Sequence, residues 1–96
     1  MPHPMIVDTD TASDDAVALI MALREPAAEV VAITVVAGNV PLAQASRNAR
    51  YTVELCGSGV PVHQGAERPL ARELRTATFF HGEDGLGDRG YPPPRR

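Results

Sequence analysis

Hydrophobic and polar positions divide the first part of the chain into strand and helix patterns. Residues 4–8 (PMIVD) form an apolar run that is too short for a helix and predicts a first strand. Ser13 is a suitable N-cap for a helix over residues 16–24, which ends before Pro26 and is apolar on nearly every face, so burial between other elements is expected. Residues 29–36 (EVVAITVV) are almost continuously apolar and β-branched, which is typical of a strand covered on both faces in a parallel sheet.

The next segment predicts a second helix and a third strand. Pro41 suits the first turn of that helix, and residues 57–59 (GSG) end it. Residues 60–63 (VPVH) predict a short strand, and residues 65–75 predict a loop. Apolar residues recur in the helix at spacings of three and four positions: Leu42, Ala45, Ala49, Val53 and Cys56. The order of elements predicts an α/β fold with a parallel sheet.

Residues 81–96 (HGEDGLGDRGYPPPRR) have neither helical nor strand periodicity. We therefore expect a loop-rich, mobile segment over these positions. We call its first ten residues the glycine-rich loop (residues 81–90). Residues 81–87 (HGEDGLG) combine titratable groups with flexible glycines. An active-site loop has that composition, although a glycine-rich surface loop is the commoner explanation.

Composition and charge exclude several classes of function. The net charge is −3, and the nine basic residues are arginines scattered along the chain, which argues against nucleic-acid binding. The single cysteine, Cys56, cannot form an internal disulfide and is interpreted as a small buried apolar residue. No secretion signal and no apolar run of about 18 residues is present, so a cytoplasmic protein that does not enter a membrane is predicted.

Candidate chemistry is concentrated in DTDTASDD, which we call the acidic segment (residues 8–15). Asp14 and Asp15 could simply stabilise a helix N-terminus, and Asp8 or Asp10 could occupy a turn. However, two carboxylates about 4 Å apart repel by roughly 4 kcal/mol at an effective dielectric constant near 20, so converging aspartates must bind protons or a cation. The segment also follows a strand, where open α/β sheets bind ligands. A metal or acid-base site is predicted there.

Five segments, in order, resemble the inosine-uridine type nucleoside hydrolases: IVDTDTASDDAVAL, AITVVAGNV, RNAR, VPVHQGAERPL and HGEDGLGDRGYP. The resemblance spans nearly the whole chain. It implies that residues 1–96 form the N-terminal βαβαβ part of an open, mostly parallel Rossmann-like sheet, within a domain that is several times longer. A common form of the first motif has Pro-Gly where this chain has Thr11-Ala12, a departure that bears on substrate preference more than on chemistry.

The resemblance implies hydrolysis of ribonucleosides to ribose and free base, with a Ca²⁺ ion that binds the nucleophilic water and ribose hydroxyls. By position in the motif, Asp10 is then a Ca²⁺ ligand and the general base, and Asp15 is a further Ca²⁺ ligand. Asp14 accepts hydrogen bonds from ribose hydroxyls. Asp8 does not bind the metal itself and stabilises the residues that do. Metal binding by carboxylates agrees with the preference of Ca²⁺ for hard oxygen ligands.

Two residues outside the acidic segment also match the family. Asn39 follows the second predicted strand, where an Asn after Gly is at least as often a turn residue; the resemblance places it at the ribose pocket. His81 matches a histidine on a loop near the base. Members of the family form homo-oligomers, and their later half supplies further ligands, so the chain alone is expected to lack hydrolase activity.

Two other functions remain open on the sequence. An Asp-x-Asp after a first strand also begins phosphatases of the haloacid dehalogenase type, with Asp8 as nucleophile and Mg²⁺ as metal, but residues 13–15 and 81–87 have no role in that scheme. Alternatively, the acidic segment belongs to a non-catalytic module that binds Ca²⁺ or a partner.

Overall fold

A computed structural model describes residues 2–95. Its elements alternate along the chain as β1 (His3–Thr9), α1 (Ser13–Arg24), β2 (Ala28–Val35), α2 (Leu42–Leu55) and β3 (Val62–Gln64), followed by the single turn α3 (Thr78–His81). The three strands pair in parallel in the order β1-β2-β3. The predicted βαβαβ arrangement and the α/β class are therefore confirmed.

The hydrophobic core lies where α1 and α2 pack against one face of the sheet. Leu19 of α1 meets Ile33 and Val35 of β2 there, and each of these side chains is at most 1% exposed. From α2 and the turn before it come Val40, Leu42, Ala45, Ala49 and Val53. The helical spacing of α2 was thus predicted correctly, and burial of its apolar side holds both βαβ units together.

The other face of the sheet is not covered by the described residues. On β1 the side chain of Ile6 is 64% exposed. On β2 Val31, which has no partner where the register shifts between Met5 and Ile6, is 47% exposed, and on α1 Val17 and Met21 are 56% and 68% exposed. The expectations that β2 is covered on both faces and that α1 is enclosed are wrong for this chain. In a sheet with sequential strand order, right-handed crossovers place both helices on one face, and only Leu19 of α1 is fully buried.

The start of α1 also differs from the prediction. Ala12, not Ser13, occupies the N-cap position, with extended backbone angles and no capping side chain, and Ser13 is the first helical residue. The Ser13 hydroxyl is bonded elsewhere, to His81. Asp14 and Asp15 lie in the first turn, where the partial positive charge of the helix favours carboxylates.

Smaller differences concern the end of α2 and the third strand. Cys56 caps α2 and is half-buried rather than buried. The third strand begins at Val62, two residues later than expected, because Pro61 has no amide hydrogen to contribute to the ladder. The carbonyl of Pro61 still accepts a hydrogen bond from the amide of Ile33 at 2.9 Å.

The segment predicted to be loop-rich begins with His81, which is the last residue of α3. Residues 82–95 contain no helix or strand, and they contact α2. The rings of Tyr51 and Tyr91 lie 5.3 Å apart, and the amide of Arg95 donates to both carboxylate oxygens of Glu54. The mobility of this segment remains a prediction. Among the described residues, no helix is both long enough and apolar enough to cross a membrane.

Candidate functional site

The candidate site lies at the carboxyl ends of β1 and β2. Asp10 directly follows β1, and Gly38 and Asn39 belong to the turn that follows β2. Because neighbouring parallel strands end at the same edge of the sheet, residues 29 positions apart in sequence come into contact there.

The turn after β2 fixes the carboxylate of Asp10. The backbone amide of Asn39 donates to Asp10 Oδ2 at 2.8 Å. A Cβ atom at Gly38 would lie only 2.7 Å from Asp10 Cβ and 2.8 Å from Asp10 Cγ, so glycine is required for this approach. Asn39 thus contacts the Asp10 carboxylate through its backbone amide, and its place at the ribose pocket stays a prediction.

Asp15 faces Asp10 from the first turn of α1. Burial raises the pKa of Asp15, and the Asp10 carboxylate at hydrogen-bonding distance raises it further, because two negative charges oppose ionisation. A hydrogen bond with the backbone of Ala12 partly offsets the rise, and the nearby charge of Asp14 adds to it. Asp15 Oδ2 is buried and has no hydrogen-bond partner among the described residues.

The four aspartates do not form one cluster. Asp8 is exposed on β1 and accepts a hydrogen bond from the hydroxyl of Thr34 on β2 at 2.7 Å. Within residues 2–95, no three acidic, histidine or cysteine side chains are grouped as a metal site. The convergence predicted for all four is wrong. Asp8 lies within β1 and is bonded to Thr34, whereas Asp10 lies beyond the end of β1, where it faces Asp15, and Asp14 is exposed near that pair.

His81 lies beside the acidic segment. Its Nδ1 atom is 2.9 Å from the hydroxyl oxygen of Ser13, and the ring of Phe80 contacts the imidazole edge-on at 4.9 Å between centroids. The structure thus brings His81, which is 68 positions from Ser13 in the sequence, to the start of α1. Its position next to the acidic segment could not be read from periodicity.

Asn48 was not singled out from the sequence. It is a polar residue on the buried side of α2 and is only 2% exposed. Its side-chain amide donates to the carbonyl of Thr11 in the acidic segment and to the carbonyl of Asp84 in the glycine-rich loop. The available signal was an asparagine one position before Ala49, within the turn of the helix that the apolar spacing buries.

The arrangement is suited to a hard cation. Asp10 and Asp15 provide carboxylate oxygens, and the buried, unpartnered Asp15 Oδ2 is the kind of atom that a metal ion would satisfy. A divalent cation would also neutralise the repulsion that raises the pKa of Asp15. The described residues therefore fit a divalent metal ion, with two carboxylates as its ligands.

Comparisons with known proteins identify the family that this chain resembles. The family model described as inosine-uridine preferring nucleoside hydrolase matches residues 5–96. An inosine-uridine preferring nucleoside hydrolase of Crithidia fasciculata is 44% identical over 93 residues, which are 96% of this chain and 30% of that protein. A probable uridine nucleosidase 2 of Arabidopsis thaliana is 40% identical over 94 residues, 95% of this chain and 29% of that protein.

Solved structures give the same result. A plant nucleoside hydrolase, the PpNRh1 enzyme, superposes with a TM-score of 0.92 and 39% identity, covering 100% of this chain and 31% of that one. The chain thus spans less than a third of the length of these relatives.

Proposed function

Because the chain belongs to the inosine-uridine preferring nucleoside hydrolase family, we propose that it carries the Ca²⁺ and ribose side of a site that hydrolyses the N-glycosidic bond of ribonucleosides. The products are ribose and the free base. The observation that carries the proposal is the pairing of Asp10 with Asp15 at the strand ends, with Asp15 Oδ2 buried and unpartnered.

Asp10 is the proposed general base and, with Asp15, a Ca²⁺ ligand. The amide of Asn39 and the space left by Gly38 hold the Asp10 carboxylate in one orientation. Bound Ca²⁺ would lower the pKa of a water molecule held beside it. Asp10 would accept one proton of the attacking water while the water oxygen bonds to the anomeric carbon and the glycosidic bond breaks. The base leaves with the bonding electron pair and takes up a proton from solvent.

The other residues bind the nucleoside. Asp14 is exposed next to the pair and is the proposed acceptor for ribose hydroxyls. Asn39 is proposed to border the ribose, and His81, at the end of α3 and bonded to Ser13, is the proposed residue near the base. Asp8, tied to Thr34, supports the end of β1 rather than touching the sugar.

We propose that the chain alone is inactive. Asp10 and Asp15 offer at most four carboxylate oxygens, whereas Ca²⁺ commonly binds about six to eight oxygen atoms. A coupled assay with Ca²⁺ and either inosine or uridine should therefore give no ribose above background. Release of ribose that is lost in Asp10→Asn would refute the inactivity.

Calorimetric titration of the chain with Ca²⁺ tests the site itself. Weak binding is expected, and Asp10→Asn and Asp15→Asn should each abolish it. The control Glu29→Gln removes one exposed charge at the far end of β2 and should leave the binding unchanged. Binding that survives both aspartate changes would contradict the proposed ligands.

A second titration separates a nucleoside site from a module that only binds metal. Ribose should bind to the Ca²⁺-loaded chain and not to the metal-free chain, and Asp14→Asn should weaken it. A chain that binds Ca²⁺ and ignores ribose would favour the non-catalytic alternative. A cytoplasmic location, a role in nucleoside salvage and assembly into homo-oligomers complete the proposal.

A further inference from the structure

Asn48 is a buried polar residue whose side chain is fully hydrogen-bonded. It is 2% exposed, and its Oδ1 accepts a hydrogen bond from Gln44 Nε2 at 2.8 Å. Since Oδ1 is already assigned to that donor, Nδ2 must face the two carbonyl oxygens on its other side. A buried side-chain amide is costly unless its hydrogen bonds are formed.

The two carbonyls that Asn48 binds belong to different parts of the candidate site. Nδ2 donates to the carbonyl of Thr11 at 3.0 Å, which lies in the acidic segment next to Asp10. It also donates to the carbonyl of Asp84 at 2.7 Å, in the glycine-rich loop. One side chain on α2 therefore joins two segments that are 37 and 36 positions away from it in the sequence.

The glycine-rich loop is shaped to reach this amide. Gly85 is buried and has a φ of +77°, a conformation that other residues adopt only with strain. A Cβ atom at this position would lie 3.0 Å from Asn48 Nδ2 and 2.9 Å from Val40 Cγ1. The contact between the loop and α2 is thus close enough to exclude even a methyl group.

We propose that Asn48 is a positioning residue that holds the acidic segment and the glycine-rich loop as one unit. The proposal rests on the proposed function, in which Asp10 is the general base and His81 lies near the base of the same nucleoside. Asn48 contacts neither the ribose nor the base in this arrangement. It fixes the backbone that carries both, and the exposed bond between Ser13 and His81 is a weaker second tie between the same segments.

The first test needs no metal. Amide exchange is measured by NMR over residues 10–15 and 81–90 in Asn48→Ala and in the control Thr52→Val. Thr52 is also 2% exposed on α2, but its hydroxyl bonds only within the helix, to the carbonyl of Asn48. We expect exchange in both segments to rise by about tenfold or more in Asn48→Ala, and only in α2 in Thr52→Val.

Gly85→Ala provides a second perturbation, from the loop side, if Asn48→Ala does not fold. It should shift the amide resonances of Thr11 and its neighbours although none of them is substituted. Retention of wild-type exchange in either segment of Asn48→Ala, or unchanged Thr11 resonances in a folded Gly85→Ala chain, would overturn the role of Asn48.

Titration with CaCl₂ gives a signal that a purely structural role would not produce. In the wild type, Ca²⁺ should shift resonances of residues 81–90 as well as those of the acidic segment. In Asn48→Ala the shifts should stay within the acidic segment, whereas shifts that still reach the loop would refute the coupling. If the wild type does not bind Ca²⁺, the proposed metal site is wrong, and the metal-free comparison still decides the role of Asn48.

Discussion

Replacing Gly85 by alanine tests how closely the glycine-rich loop is packed against α2. Gly90, in the same loop, provides a matched control. Both glycines have positive φ, +77° and +73°, but no atom lies within 4 Å of the position that a Cβ at Gly90 would take. The two substitutions therefore share the backbone term and differ in the steric term.

The magnitude follows from these two terms. A left-handed backbone costs an L-residue roughly 1–2 kcal/mol in either variant, partly offset by a less flexible unfolded chain. At Gly85 the methyl group also collides with Val40 and Asn48, and such overpacking typically costs about 1–3 kcal/mol. Gly85→Ala should thus lose about 1–3 kcal/mol more unfolding free energy than Gly90→Ala.

Urea unfolding followed by circular dichroism measures the difference. For a chain of this length, each kcal/mol also corresponds to roughly 4–8 °C in melting temperature, so thermal unfolding gives an independent value. Equal losses in the two variants would show that the loop does not press against α2, and the packing argument would then fail. If the dependence of the unfolding free energy on urea concentration (the m-value) matches that of the wild type, both variants unfold from the same compact state.

Three further predictions concern the acidic segment and the loop beside it. Gly38→Ala should displace Asp10 and weaken Ca²⁺ binding, measured by calorimetry, by about tenfold or more. Gly59→Ala should leave the binding unchanged, because no atom lies within 4 Å of the position that its Cβ would take. Equal effects of the two substitutions would contradict the steric argument. Asp15→Asn should raise the stability of the metal-free chain to urea, because burial and the charge of Asp10 raise the pKa of Asp15 and so disfavour its ionised form; a less stable variant would contradict this. Burial raises the pKa of Asp84, but hydrogen bonds from two backbone amides of its own loop outweigh this effect, so the pKa in the folded chain lies below its ordinary value of 3.8. The ionised Asp84 carboxylate therefore stabilises the folded loop above pH 3.8, and this stabilisation should be lost as the pH falls through the pKa of the folded chain. Amide exchange of the glycine-rich loop, measured at decreasing pH, reports this loss of stability, and Asp84→Asn should make the exchange independent of it.

The fold was largely predictable from periodicity, because α2 buries the residues that its helical spacing indicated, and β2 is a β-branched run. The extent of burial was not. An apolar sequence shows that a surface requires cover, and it does not show which chain supplies it, so the exposure of Ile6 and Val31 was missed. The family resemblance supplied the proposed roles of the site residues, which spacing could not give.

The candidate site was predicted in part for a similar reason. Asp10 and Asp15 could be expected to meet because a strand end and a helix start adjoin. Three features depend on contacts between distant residues: the amide of Asn39 on Asp10, the hydroxyl of Ser13 on His81, and the bonds of Asn48. A pattern of apolar positions carries no information on such polar contacts.

The bonds of Asn48 also set limits on how this protein can be recombined. A chimera that takes the acidic segment from one relative and the glycine-rich loop from another combines two backbone segments that did not evolve around the same amide donor. Their carbonyls both accept hydrogen bonds from Asn48 Nδ2. A graft of the glycine-rich loop, which contains Gly85, should therefore transfer Asn48 with it. Segments far apart in the gene behave at this point as one exchangeable module.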